Sequence, residues 1–233
     1  DNNFPRSKYT LSVSSSGNTD AEKHLFVFEQ RVEDVRTFAD TPSTVSFLVF
    51  NAGAGGRRIA LEFAQTLGAT GSAPVLAVAP EIFELAPGLN RIRKTVTLPS
   101  ISGKTLSDEG AAVMCVWVSA GTQFANRTAG LGAQHGQVYF GEFQWERGAT
   151  ATAFEWRPLD EEVQRCRRYY QADATGSYFD GGVRFNAGVG LIRGDNKVYL
   201  IYPFSQRMRT IPTVGFSNLP QWRLLTGSGA TSL

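Results

Sequence analysis

Cysteine, histidine and charge are all scarce in this chain, and each shortage removes a class of function. Two cysteines among 233 residues, Cys115 and Cys166, cannot build a disulfide framework or, alone, a four-ligand zinc site. Cys115 falls inside an apolar run and Cys166 on an apolar helical stripe, so both are expected as buried thiols. The two histidines, His24 and His135, have no histidine, cysteine or carboxylate at metal-ligand spacing, which favours structural or solvated roles over catalysis. No metal and no other cofactor is expected. Charged residues make up 19% of the chain and the net charge is +2, which leaves no electrostatic footprint for a nucleic-acid partner. No apolar run approaches the length of a membrane span and no signal-peptide pattern opens the chain, so no membrane insertion is expected. The chain starts at Asp1, and residues 226–232 are rich in glycine, serine and threonine. Both ends read as cuts through a longer polypeptide.

Catalytic motifs are missing as well. Gly103-Lys104-Thr105 lacks the upstream glycine of a phosphate loop, since Leu98 stands there, and no helix signal follows. Gly53-Ala54-Gly55 opens like a dinucleotide fingerprint, but Arg58 occupies the third glycine position and no βαβ pattern surrounds it. No Gly-x-Ser-x-Gly elbow occurs in a strand–turn–helix setting. The remaining enzymatic option is a carboxylate pair, Glu142 with Glu146 or Glu29 with Glu33, acting on a glycoside. Nothing sets these apart from ordinary solvent-facing carboxylates. No catalytic residue is therefore assigned, and the chain is read as a non-enzyme.

Aromatic residues, at 12%, are plentiful enough to fill a core. Short runs rich in β-branched and aromatic residues recur at close spacing, separated by turn signals: residues 9–13, 25–28, 44–50, 58–67, 75–85, 90–98 and 111–120. The run 111–120 is apolar on both faces and belongs at the centre of a sheet. Residues 33–38 are less regular and fit a turn or short helical stretch. Strands without helices between them argue for an antiparallel β-sandwich rather than an α/β fold.

The chain is organised around residues 136–171. Val138, Tyr139, Phe140, Phe143 and Trp145 make a strand apolar on both faces. Gly148 turns the chain, and Phe154 and Trp156 alternate with Glu155 and Arg157 as in a half-buried strand. Pro158 suits the first turn of a helix. Leu159, Val163, Cys166 and Tyr170 then form one apolar stripe, with Asp160, Glu161 and Glu162 at the start and Arg165, Arg167 and Arg168 at the end, matching the helix dipole. After residue 171 the chain becomes glycine-rich, with further strands expected at 183–192, 197–203 and 210–216. The expected organisation is a β-sandwich over 1–157, a joining helix over 158–171 and a small β-rich element over 172–233. Trp117 and Trp145 are expected in the core. Trp156, Tyr178 and Trp222, with more polar neighbours, are the aromatic candidates for stacking on a ligand. Tyr169 and Tyr170 beside Arg167 and Arg168 are residue types enriched in interface hot spots, so these four are the candidate subunit contact.

Several stretches together carry a family likeness: Glu29 to Thr37 before the strand 44–50; Leu98-Pro99-Ser100-Ile101-Ser102-Gly103-Lys104-Thr105; Gln144-Trp145-Glu146-Arg147-Gly148 with the segment from Ala151 to Pro158; Cys166-Arg167-Arg168-Tyr169-Tyr170; and the segment from Met208 to Val214. In this order the chain resembles bacteriophage tail-fibre and receptor-binding appendage proteins that carry a jelly roll like that of a carbohydrate-binding module. The likeness spans roughly residues 8–217. It departs at the start, where the opening strand of the family is mostly missing, and at Trp145 and Trp156, where an aliphatic and a polar residue are expected. The resemblance implies an all-β, antiparallel jelly-roll sandwich followed by one short α-helix and a small C-terminal β-element. It implies a virion location on a tail or capsid appendage and homotrimeric assembly. Its implied partners are further copies of the chain, other virion proteins and a bacterial surface glycan. It transfers no binding residue. Two alternatives stand beside it: a purely structural capsid-decoration or head-fibre module that binds no sugar, and a glycan-degrading tailspike.

Overall fold

The computed structural model describes residues 4–7, 10–15, 20–171, 190–193, 197–200, 204–209, 211–213, 223–226 and 229–232. The chain forms two compact units, Asp1–Trp156 and Arg157–Leu233.

The first unit holds eight strands: β1 (Leu11–Ser15), β2 (Leu25–Glu33), β3 (Pro42–Asn51), β4 (Arg57–Thr66), β5 (Val75–Leu85), β6 (Gly88–Thr97), β7 (Ala111–Ala120) and β8 (Gly136–Arg147). They make two four-stranded sheets, ordered β1-β8-β3-β6 and β2-β7-β4-β5, with every named pair antiparallel. Successive strands alternate between the sheets except at the β4–β5 hairpin, and β8 returns beside β1. This is the two-Greek-key order of a jelly roll, so the expected fold class is the observed one. A 3-10 turn, Val35–Thr37, follows β2, within the stretch read as a turn.

Alternation places the core. Val45, Phe47 and Val49 of β3 and Ile59, Leu61 and Phe63 of β4 face each other's sheet with no more than traces of exposure, joined by Met114, Val116 and Val118 of β7. Phe28, Phe47, Phe140 and Phe143 meet edge-on, stacked or tilted with centroids 4.7–6.3 Å apart, distances at which aromatic pairs attract beyond their buried area.

The apolar residues of β8 do not keep one parity: Val138 and Phe140 point inward, then Phe143 and Trp145. A bulge explains this. Leu48 pairs with Gly141 and Ser46 with Gln144, so two residues of β8 oppose Phe47 alone. Glu142 takes a φ of 54° there, and its buried carboxylate accepts the Arg6 N–H at 2.8 Å. The extra residue flips the strand. The two apolar faces read in the sequence are one interior face on either side of that slip. Gly141 is required beside it, because a Cβ would sit 2.8 Å from Phe4 Cδ1.

β7 is buried along its whole length, as a central strand should be, because its outer face is also covered. Residues 121–135 fold back over it, and Leu131 and Phe124 pack on Ala60, Cys115 and Trp117. Within this layer the fully buried Glu62 carboxylate accepts from Trp117 Nε1 at 2.9 Å, Arg127 Nε at 2.8 Å and the Ala77 amide at 2.8 Å. Ala77 has a φ of 55° at one of two bulges in the edge strand β5. The single run 75–85 is thus one strand with interruptions that blunt an exposed edge.

In the second unit, α1 (Leu159–Arg167) has acidic residues in its first turn and basic ones in its last, and buries no residue. β9 (Gly190–Arg193) and β10 (Lys197–Leu200) pair as a hairpin, as do β11 (Arg223–Thr226) and β12 (Gly229–Ser232). The glycine- and serine-rich run near the end therefore contributes a strand. Residues 211–213 are not in a strand, and Ile211 is exposed; the rest of the strand expected over 210–216 lies outside the described residues. Residues 154–157 form no strand; within the first unit the Glu155 N–H donates to Gln144 Oε1 of β8 at 2.8 Å. Cys166 is exposed, which corrects the expectation of a buried thiol: its helical stripe is uncovered.

Candidate functional site

A cleft of about 470 Å³ opens at the end of the sandwich where β3 passes to β4 and the chain enters β8. Its lining comes from Asn51, the glycine-rich turn with Gly53, Gly55 and Gly56, then Arg57, and from Gln134, His135, Gly136 and Gln137. Strand parity delivers the floor. Asn51 lies on the same face of β3 as Val45, Phe47 and Val49, and Arg57 on the same face of β4 as Ile59, Leu61 and Phe63. Both are inward positions one step beyond the apolar core, and both are buried, at 3% and 6% exposure.

Asn51 is committed to local structure: its Oδ1 accepts the Gly53 N–H at 3.0 Å and its Nδ2 donates to Leu85 O at 3.4 Å. Gln134 is also engaged. Its Oε1 accepts the Arg58 N–H at 3.3 Å, its N–H donates to Ser119 Oγ at 2.9 Å and its carbonyl accepts from Ser15 Oγ. Gln137 Nε2 donates to Ser12 Oγ at 3.0 Å. Arg57 differs. None of its three guanidinium nitrogens has a hydrogen-bond partner, and all three are buried. Burial pushes its pKa below the ordinary arginine value, because desolvation disfavours the charged form. Nη1 would lie 3.1 Å from a Cβ at Gly136, where φ is +109°. Only glycine leaves that approach open. Among the described residues the lining contains no carboxylate, and His135 is exposed at the rim.

The described residues singled out from the sequence are not among those lining the cleft. Trp156 is 64% exposed at the end of the first unit. Tyr178 and Trp222 fall outside the described residues. Arg167 closes α1, the Arg168 carbonyl accepts the Arg209 N–H at 3.0 Å, and Tyr169 and Tyr170 are 52% and 74% exposed. Among the described residues no aromatic side chain lines the cleft. Trp117 and Trp145 are core residues, as expected: Trp117 is 1% exposed, and Trp145 stacks on Phe38 at 4.3 Å.

The acidic pairs are occupied by structural partners. Glu146 accepts from Gln144 Nε2 and from the N–H and hydroxyl of Thr152 at 2.8–2.9 Å. Burial raises its pKa, but these bonds outweigh that and hold it below the ordinary carboxylate value. Glu142 caps the bulge, and Glu29 pairs with Arg31 at 3.0 Å. His24 bridges the Asp20 carbonyl and Ser119 Oγ, the structural role expected of it. Lys104 sits in a surface turn, its N–H donating to Ile101 O at 3.1 Å. The Gly53-Ala54-Gly55 turn, set aside as a nucleotide motif, forms one wall of the cleft. Among the described residues no group of three or more histidine, cysteine or acidic side chains could hold a metal ion, and no helix is long and apolar enough to cross a membrane.

No family model matches the chain, and no curated protein does. A solved structure described as "CBM4 structure and function" is similar at 14% identity and a TM-score of 0.39, covering 61% of this chain and 73% of that one.

Proposed function

We propose that this chain is a non-enzymatic adhesion module of a bacteriophage tail fibre or spike, assembled as a homotrimer in the virion and binding a bacterial surface glycan at the end of its jelly roll. The observation that carries the reading is the cleft. It places backbone polar groups, amide side chains and an unsatisfied guanidinium around a concave site, a donor-rich arrangement suited to hydroxyl and ring-substituent recognition. Non-catalytic binding is favoured over glycan cleavage because the lining holds no carboxylate and the acidic pairs are bound into turns and bulges.

Trimeric assembly is supported by α1. Nine residues long, with Leu159, Val163 and Cys166 exposed and no residue buried, it is too short to be stable on its apolar stripe alone. Matching stripes from further copies would cover it. The same feature favours a second reading, a structural connector that binds no sugar. Glycan-array binding of the purified protein, together with its mass in solution, tests the proposal. Binding to bacterial glycans by a trimer is the expected result; a trimer that binds none leaves the connector, and a monomer that releases sugars overturns both.

A further inference from the structure

Arg57 is the least compensated charge among the described residues. It stands at an inward position of β4, its three nitrogens are buried, and none has a partner. Removing a guanidinium from water without a counter-charge carries a penalty of several kcal/mol, and natural folds retain such groups chiefly where something else completes them. The half-buried Arg127 shows the contrast: it has the Glu62 carboxylate at 2.8 Å and the Trp117 ring at 5.0 Å. Among the described residues Arg57 lies beneath a rim without acidic residues and beside Gly136, where a Cβ would come within 3.1 Å of Nη1. Its near neighbour in sequence, Arg58, is satisfied by the Leu131 carbonyl at 2.9 Å, with Glu84 at 4.0 Å. The unpaired state thus belongs to the position.

We infer that Arg57 is the seat for an oxyanion substituent, carboxylate or phosphate, carried by a saccharide that enters the cleft. This rests on the glycan reading and narrows it to acidic sugars. The planar fork of a guanidinium matches either group with two parallel hydrogen bonds. The 52–56 turn is the gate: Gly55 and Gly56 take φ of +118° and +72°, a Cβ at Gly56 would meet nothing within 4 Å, and the turn is anchored at its start by the Gly53 N–H on Asn51 Oδ1. Its displacement exposes the guanidinium to the incoming anion.

The test uses the full chain with glucuronate, glucose and inorganic phosphate as probes, followed by amide NMR titration and thermal unfolding. The expected result is that glucuronate binds at least tenfold more tightly than glucose, shifting signals of residues 52–57 and 134–137, and that phosphate raises Tm. Arg57→Met retains the stem and removes the charge. It is expected to fold at least as stably as the parent, to bind glucuronate no better than glucose and to lose the phosphate-induced rise. Arg57→Lys, which keeps the charge but not the fork, should fall between the two. Glucose binding as tightly as glucuronate, with no phosphate effect, overturns the oxyanion seat and leaves the glycan reading intact. Phosphate and glucuronate binding through Arg57 without retention on any arrayed glycan sinks the glycan reading and leaves the seat. Unchanged anion binding in Arg57→Met also overturns the inference.

Discussion

Arg57 and Arg127 show how one residue type takes opposite roles when only its surroundings change. Arg127 is held by a fully buried Glu62 and lies over Trp117, tying the 121–135 segment to β4 and β7. Removing it strands a carboxylate in the interior, so Arg127→Ala is expected to cost about 3–5 kcal/mol, read from urea unfolding. Glu62→Gln combined with Arg127→Met should recover most of that, and a loss below about 1 kcal/mol for Arg127→Ala would show the pair to be solvent-like. The two cysteines separate in the same way. Cys115 is fully buried, and burial, followed by the carboxylates of Glu62 and Glu29, pushes its thiol up to about 12. Cys166 is exposed. At pH 8 a disulfide reagent should titrate one thiol in the native protein and two in denaturant. A folded-state pKa above the ordinary 9.0 favours the thiol form, so its contribution to stability is intact below pH 9 and is lost as pH rises toward 12.

At the scale of elements, alternation made the strands readable and bulges limited the reading. β3 and β6 keep a strict register with each other, and β7 keeps one with β4 while slipping by one residue against β2; the limits of β3, β6 and β7 match the sequence patterns within a few residues. β8 and β5 do not, because an extra residue with positive φ costs strand energy locally and is stabilised by a distant partner: Arg6 for Glu142, and Glu62 for Ala77. No window of sequence contains both halves of those contacts. The helix was legible from its stripe and its charge order, but a stripe does not say what covers it. On the trimer proposed above, Val163→Glu is expected to give monomers in light scattering while leaving the far-UV spectrum of the sandwich unchanged. An unchanged mass would remove α1 from the subunit contact.

At the scale of the molecule, the cleft depends on how the jelly roll is wound. The order β1-β8-β3-β6 over β2-β7-β4-β5 brings the β3–β4 turn to the end where β8 begins, about 80 residues later in the chain. The aromatic candidates read from the sequence, Trp156, Tyr178 and Trp222, are not among the described lining of the cleft, which is made of glycine, alanine, amide and cationic groups. One signal was available: Arg57 continues the inward parity of Ile59, Leu61 and Phe63, and an arginine there is a charge directed at the core. Trimeric presentation of three such clefts would let individually weak sugar contacts act together, by raising the effective concentration of the second and third.

The sequence by itself determined the strands, the two-layer β architecture and the amphipathic helix, because alternation and stripes are local patterns set by which side chains avoid water. Only the tertiary structure decided that Arg57 is left without a partner, that Glu62 is given three donors and that Cys166 is left outside. Each depends on which distant backbone closes over a position, and desolvation is a property of that enclosure rather than of the residue.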